Sequence, residues 1–337
     1  MVTPAPEETT APPPLAVDDL RVSFAARGGD AAGTLAVDGI GFAVPAGSIL
    51  GLIGESGSGK SATLLAIAGL LPASARVEGT VRLDGRSLLD LPERQRARLR
   101  GRGIGMIFQN PGGSLNPVLT VGSQIDEVLT VHRGLTGRAA RAETESLLAK
   151  VGIGDPRNRA NVYAHQLSGG LKQRVAIAAA LAAGPSVLLA DEPTTALDAT
   201  VQAQILDLLL DLVARENLAL LLVTHDLAVA ASVADRIAVA YAGRIVEEGP
   251  AAEVVRRPAH PYSHALGQAA LPFGAETMRR EDLLPELPGR MASAGGSACA
   301  FAPRCPLAVA RCRAEVPLLT PFGSGRVACF RAGEVGA

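Results

Sequence analysis

SILGLIGESGSGKSATL, residues Ser48–Leu64, is the stretch from which this chain is read. Its apolar run (Ile49, Leu50, Leu52, Ile53) predicts a buried strand. The backbone then turns through Gly54, Glu55, Ser56, Gly57, Ser58, Gly59, Lys60 and Ser61. An apolar-periodic helix is expected from Ala62 to Leu71. This is G-x-x-x-x-G-K-[ST] between a strand and a helix, the setting that a phosphate-binding loop requires. Glycines at 54, 57 and 59 allow successive N–H groups to point inward, and the helix N-terminus adds positive potential. Lys60 would reach the β- and γ-phosphates, and the Ser61 hydroxyl would ligate Mg²⁺. The bland alternative is a glycine-rich turn with no ligand. The context favours a nucleoside triphosphate.

The 337 residues suit one large domain with an appendage, or two domains, and an apolar share of 48% supports a substantial core. A net charge of −1 gives no basic field for nucleic acid, and three Tyr, seven Phe and no Trp argue against a base-stacking surface. No apolar run reaches the roughly 18 residues of a membrane span. Residues 1–14, acidic and proline-rich, read as a disordered lead-in without a secretory pattern. The expectation is a cytosolic protein that meets membranes only through partners.

Outward from the loop, Leu15–Phe24 alternates and predicts an edge strand; Leu35–Val44 predicts a second. Phe24 is either a core residue or a platform for an adenine ring. Val77–Leu83 predicts another strand, and the five arginines of Leu91–Arg102 suit a solvated helix face better than a nucleic-acid patch. Ile104–Phe108 is a short buried strand ending on Gln109, whose carboxamide would meet Mg²⁺ and a water. Helices are expected over Val121–Val131 and Arg138–Val151, an insertion in an α/β core. Leu167, Ser168, Gly169 and Gly170 precede a helix over Leu171–Ala183, with Ser168 as N-cap and an anion-ready N-terminus; a plain capping turn is the alternative. Ser186–Ala190 is an apolar strand ending on Asp191 and Glu192, one suited to Mg²⁺ and one to water. Thr195–Asp198 (TALD) follows, then a helix over Val201–Arg215. Leu218–Val223 is a strand ending near His225, on the edge that carries the phosphate loop. His132, His165, His260 and His264 read as structural.

In this order, Phe24, GESGSGKS, Gln109, LSGG (167–170), VLLADE (187–192), ALD (Ala196, Leu197, Asp198) and His225 resemble the ATPase subunits of ABC transporters over roughly 15–272. The resemblance implies an ABC-type phosphate-loop NTPase of the α/β class. Its parts would be a RecA-like core, an antiparallel β subdomain and a helical subdomain near 110–183. It implies ATP and Mg²⁺ as ligands, with Phe24 on adenine and residues 54–62 on the phosphates. Ser61, Gln109 and Asp191 would stand at Mg²⁺, Glu192 would polarise the attacking water and His225 would hold the γ-phosphate. A second, related ATPase subunit is implied as well, because one chain's LSGG segment would close on its partner's ATP.

NPGGSLNPVLTVGSQI (110–125), RRPAHPYSHAL (256–266) and FAPRCPLAVARC (301–312) resemble the oligopeptide and dipeptide importers, a group that includes some nickel importers. Leu171 departs from the Gln usual after LSGG, and Ala62 from the Ser or Thr that often follows the loop. The implied partners are two membrane permease subunits and an external solute-binding protein, placing the chain at the cytoplasmic membrane face. A soluble ABC ATPase acting on ribosomes or DNA is the rival; this chain has one ATPase half and no sustained heptads. Residues 273–337 form a small extension holding Cys299, Cys305, Cys312 and Cys329, with spacers of five, six and sixteen residues. Paired zinc spacing is absent. Four thiolates suit a 4Fe–4S cluster, which the resemblance also suggests; zinc and unmetallated thiols remain as alternatives.

Overall fold

The computed structural model describes residues 12–25, 33–270 and 292–335. Two paired strands, β1 (Leu15–Phe24) and β2 (Thr34–Val44), come first. β3 (Ile49–Ile53) feeds the glycine loop and α1 (Lys60–Ala68). Then come β4 (Ala75–Leu83), β5 (Arg86–Ser87), α2 (Glu93–Arg102) and β6 (Ile104–Ile107). Five helices follow: α3 (Pro111–Ser114), α4 (Val121–Arg133), α5 (Gly137–Lys150), α6 (Pro156–Arg159) and α7 (Gly169–Leu181). The chain returns through β7 (Val187–Asp191), α8 (Ala199–Glu216), β8 (Ala219–Thr224) and α9 (Leu227–Val233). It ends with β9 (Arg236–Tyr241), β10 (Arg244–Pro250), α10 (Ala251–Arg256), α11 (Pro261–Ala270), β11 (Thr320–Phe322) and β12 (Gly325–Val327).

The larger sheet has the order β11-β12-β10-β9-β3-β8-β7-β6. From β9 to β6 every pairing is parallel, with Ile49 opposite Leu220 and Val187 opposite Ala219. Parallel strands must be covered on both faces, so their sequences run apolar without alternation. The burial follows suit. Ile49, Leu188, Ala190, Leu220 and Leu222 point into a core shared with α4, α5, α7 and α8. Leu50, Leu52, Val187, Leu189, Leu221 and Val223 point the other way, into a core shared with α1 and the antiparallel strands. A third cluster joins Ile53, Ile237 and Val239 to Tyr241, Tyr262 and Phe301.

The smaller sheet, ordered β2-β1-β4-β5, corrects one expectation: β1 lies between β2 and β4 and is not an edge. Alternation reports that one face is buried and says nothing about how many neighbours pair with the strand. Two helix boundaries also move. α1 stops at Ala68 because Gly69 takes a left-handed conformation (φ 65°), its N–H donating to the carbonyls of Ala66 and Leu65. α7 begins at Gly169, directly after its Ser168 cap, so both signature glycines lie inside the helix. In α2 no residue is buried, and Arg96 pairs with Glu93 at 3.2 Å.

The segment from 292 onward adds β12 to the free edge of β10, with Glu247 opposite Val327. It extends the sheet that carries the phosphate loop instead of forming one of its own. Residues 1–11, 26–32, 271–291 and 336–337, which include most of the lead-in and part of the extension, fall outside the described residues. Among the described residues no helix is long and apolar enough to cross a membrane.

Candidate active site

Parallel strands deliver whatever follows them to one edge of the sheet, and here four of them deliver the site. β3 leads to Gly54, β6 to Gln109, β7 to Asp191 and Glu192, and β8 to His225. Gly54 enters the loop at φ 155°, where an added Cβ would lie 2.2 Å from the Ala240 carbonyl oxygen. Gly59, at φ 97°, caps α1, and a Cβ there would meet the Ala36 carbonyl at 2.5 Å. Neither position admits a side chain. The loop is tied down by Ser58 N–H donating to Glu55 O at 3.2 Å and Gly243 N–H donating to Ser58 O at 3.1 Å.

Lys60 is buried, and its ammonium donates to Gly54 O at 2.7 Å and Glu55 O at 2.9 Å. Burial lowers its pKa, against the pull of Glu192, Asp191 and Glu55. The ammonium therefore sits inside the curled backbone, where phosphate oxygens would replace the carbonyls. Ser61 Oγ donates to Asp191 Oδ1 at 3.2 Å, which joins the first helical turn to the end of β7. Burial raises the Asp191 carboxyl, and the Ser61 bond opposes it. A hydroxyl and a carboxylate side by side are hard oxygen donors of the kind Mg²⁺ takes.

Glu192 is the hub. Gln109 Nε2 donates to its Oε2 at 2.9 Å, Thr195 Oγ1 donates to the same oxygen at 2.9 Å, and His225 Nδ1 lies 3.0 Å from Oε1. Burial pushes its pKa upward, but the His225 and Thr195 bonds outweigh this and the net shift is downward. The backbone at Glu192 has φ 45°, a strained conformation for a side-chain-bearing residue, held by its N–H donating to Val223 O at 2.9 Å. Gln109 thus stands with Glu192, whereas Ser61 and Asp191 form a separate pair.

The remaining candidates lie elsewhere. Among the described residues the hydrogen bonds of 167–170 stay within their own turn and helix: Leu171 N–H donates to Ser168 Oγ at 3.4 Å, and none reaches 54–62. A Cβ on Gly170 would lie 2.5 Å from Val201 Cγ1, and one on Gly169 would lie 3.3 Å from Leu197. The groups that approach these glycines closely are therefore Leu197 and, on α8, Val201 of the same chain. Ala196 has φ 65°, and Asp198 caps α8 by accepting from Val201 N–H at 3.0 Å. Phe24, at the end of β1, is half-buried against the core beneath the smaller sheet.

The four cysteines are free thiols, Cys312 buried and the others half-buried. Cys299 N–H donates to Cys312 O at 2.9 Å, and Arg331 N–H donates to Cys329 Sγ at 3.3 Å. Burial pushes up the thiols of Cys299, Cys305 and Cys329, the last to about 11, and Cys329 is influenced by the other three. Among the described residues no three His, Cys, Asp or Glu form a group that could hold a metal ion. The expected metal-binding cage is thus absent from this arrangement. Thiols in such partly buried positions pack as small apolar groups.

Contacts made across the chain leave no local mark in the sequence. Glu55 is held by Arg304 and Tyr262, and Asp38 is flanked by Arg21 and Arg244 at 2.5 and 2.6 Å. The partners of Glu55 stand 249 and 207 positions away, and no local pattern announces them. Thr195 had a signal: it lies three residues after Glu192, within reach across one turn.

A phosphate loop, a hydroxyl–carboxylate pair and a carboxylate hub on one edge of a parallel sheet define a phosphate-loop nucleotide hydrolase. The sequence family described as ABC transporter matches residues 37–195, and that described as Oligopeptide/dipeptide transporter, C-terminal region, matches 246–312. The chain is 47% identical to the dipeptide transport ATP-binding protein DppD of Escherichia coli (strain K12) over 313 residues, 93% of this chain and 94% of that protein. It is 44% identical to the oligopeptide transport ATP-binding protein OppD of Salmonella typhimurium, covering 96% of each. The dimeric ATP-binding cassette MJ0796 bound to ADP and Pi aligns with a TM-score of 0.62 at 30% identity, over 70% of this chain and 98% of that one. The chain belongs to the ABC transporter family of ATP-binding subunits and is an ATPase of that fold.

Proposed function

We propose that this chain is the ATP-hydrolysing subunit of an importer for dipeptides or oligopeptides. The observation that carries this reading is the 44–47% identity to DppD and OppD over nearly the whole chain, together with the match of 246–312 to the oligopeptide/dipeptide transporter C-terminal region. In this reading Phe24 lies against adenine and residues 54–62 wrap the phosphates, with Lys60 leaving its two carbonyl partners for phosphate oxygens. Ser61 and Asp191 would hold Mg²⁺, which offsets the negative charge of the phosphates when bound. Glu192, kept ionised by His225 and Thr195, takes a proton from the attacking water. Gln109 and His225 orient water and γ-phosphate around it. Leu167–Gly170 and Ala196–Asp198 face the ATP of a second, related ATPase subunit across the dimer.

The partners are two membrane permease subunits and an external binding protein, so the chain works at the cytoplasmic membrane face. Residues 15–272 form the ATPase, with its helical part near 110–183, and 273–337 the extension. A 4Fe–4S cluster on Cys299, Cys305, Cys312 and Cys329 belongs to this proposal. What supports it is the sequence, which places all four cysteines between 299 and 329; the thiols would have to deprotonate and draw together on binding. Anaerobically purified protein should contain iron and sulfide; stoichiometric zinc alone overturns the cluster. For the function itself, the chain co-reconstituted with its permeases should hydrolyse ATP faster when peptide-loaded binding protein is added. Hydrolysis indifferent to any peptide would remove peptide import.

A further inference from the structure

Glu55, the second residue of the phosphate loop, is gripped from three sides. Its N–H donates to the Tyr262 hydroxyl at 2.9 Å. Its carboxylate receives both ends of the Arg304 guanidinium, at 3.0 and 3.1 Å. Its carbonyl accepts from Lys60 Nζ at 2.9 Å. The two outer grips come from the far end of the chain: Tyr262 from α11, Arg304 from the cysteine-bearing segment one residue before Cys305. Both are rigidly seated. The Tyr262 ring is fully buried, 4.6 Å from Tyr241 and 5.5 Å from Phe301, and the Arg304 side chain is 5% exposed and lies over the Tyr241 ring.

We propose that Arg304 and Tyr262 are positioning residues for the ATP site, holding Glu55 so that the loop keeps its curvature when Lys60 turns from carbonyl to phosphate. A two-pronged ion pair with a buried guanidinium fixes orientation as well as distance, which a single neutral bond does not. The loop backbone on the Gly54 side is already pressed on Ala240, so Glu55 is where it would otherwise yield. The C-terminal segment is thereby a structural part of nucleotide binding and not only an appendage. This rests on assigning ATP to residues 54–62.

The test measures KM for MgATP, kcat and melting temperature of the chain assembled with its partner subunits. Arg304→Met and Tyr262→Phe should each raise KM roughly fivefold while kcat stays within about twofold, because they remove ground-state binding and no reacting group. Arg304→Lys should recover part of the loss. Glu55→Gln combined with Arg304→Met should be no worse than the weaker single variant, as expected for two halves of one contact. A lowered melting temperature with unchanged KM, or losses that simply add, would overturn the proposal. Lys60→Ala in the same assay separates the two layers: it should abolish ATP binding whatever Arg304 does, and normal binding there would remove the loop assignment itself.

Discussion

Glu192 gathers more of this site's chemistry than any other residue: three side chains point at two oxygens, and the backbone beneath is held in a strained turn. Such strain persists only where surrounding bonds enforce it. The downward shift of its pKa, from the His225 and Thr195 bonds against burial, keeps the carboxylate ionised to lower pH than an ordinary glutamate, so it is free to accept a proton at neutral pH. Glu192→Gln should retain ATP binding while turnover falls by about 10² or more, read as phosphate release at saturating MgATP. Turnover near the parent's would make Glu192 a structural residue. The sequence shows Lys60, Asp191, Glu192 and His225 plainly, because each follows an apolar strand that reads as buried. Thr195 and Gln109 are less legible as neighbours of Glu192, since which oxygen a side chain meets depends on backbone angles that no spacing reveals.

At the scale of elements, the parallel strands are readable because burial on both faces forbids polar residues, and a five-residue run such as Ser186–Ala190 admits few other readings. The interior position of β1 is not readable, because pairing partners leave no mark on an alternating strand. Nor is the tie between β10 and the turn that leads into α11. There Glu247 accepts from the N–H groups of Ala259 and His260 at 2.8 and 3.0 Å, and His260 Nδ1 accepts from Tyr262 N–H at 3.0 Å. Burial drives the His260 pKa down to about 3, so the folded chain keeps it neutral while the unfolded chain protonates it near its ordinary value. Stability from this residue is complete above pH ~6.5 and is lost as pH falls, by at most about 2 kcal/mol at pH 5. Glu247, whose carboxyl burial pushes up, works in the opposite direction as it takes a proton. Urea unfolding at pH 7 and pH 5 should show a smaller loss for His260→Gln than for the parent chain. Equal losses would mean that His260 exchanges protons in the folded state.

At the scale of the whole molecule, the two anion-ready helix starts of this chain do not meet. The loop before α1 is tied to β9 and β10, while the Ser168 turn is tied to α7 and packs on α8. For the proposed closure of Ser168 on ATP, a second subunit must therefore bring its own Ser168 turn to each phosphate loop. The most direct test is sedimentation of the Glu192→Gln chain mixed with its partner ATPase, comparing MgATP with MgADP. Dimer is expected with MgATP and separate subunits with MgADP, with the dimer lost when Ser168→Arg blocks the facing turns. The same association state in both nucleotides would contradict that closure.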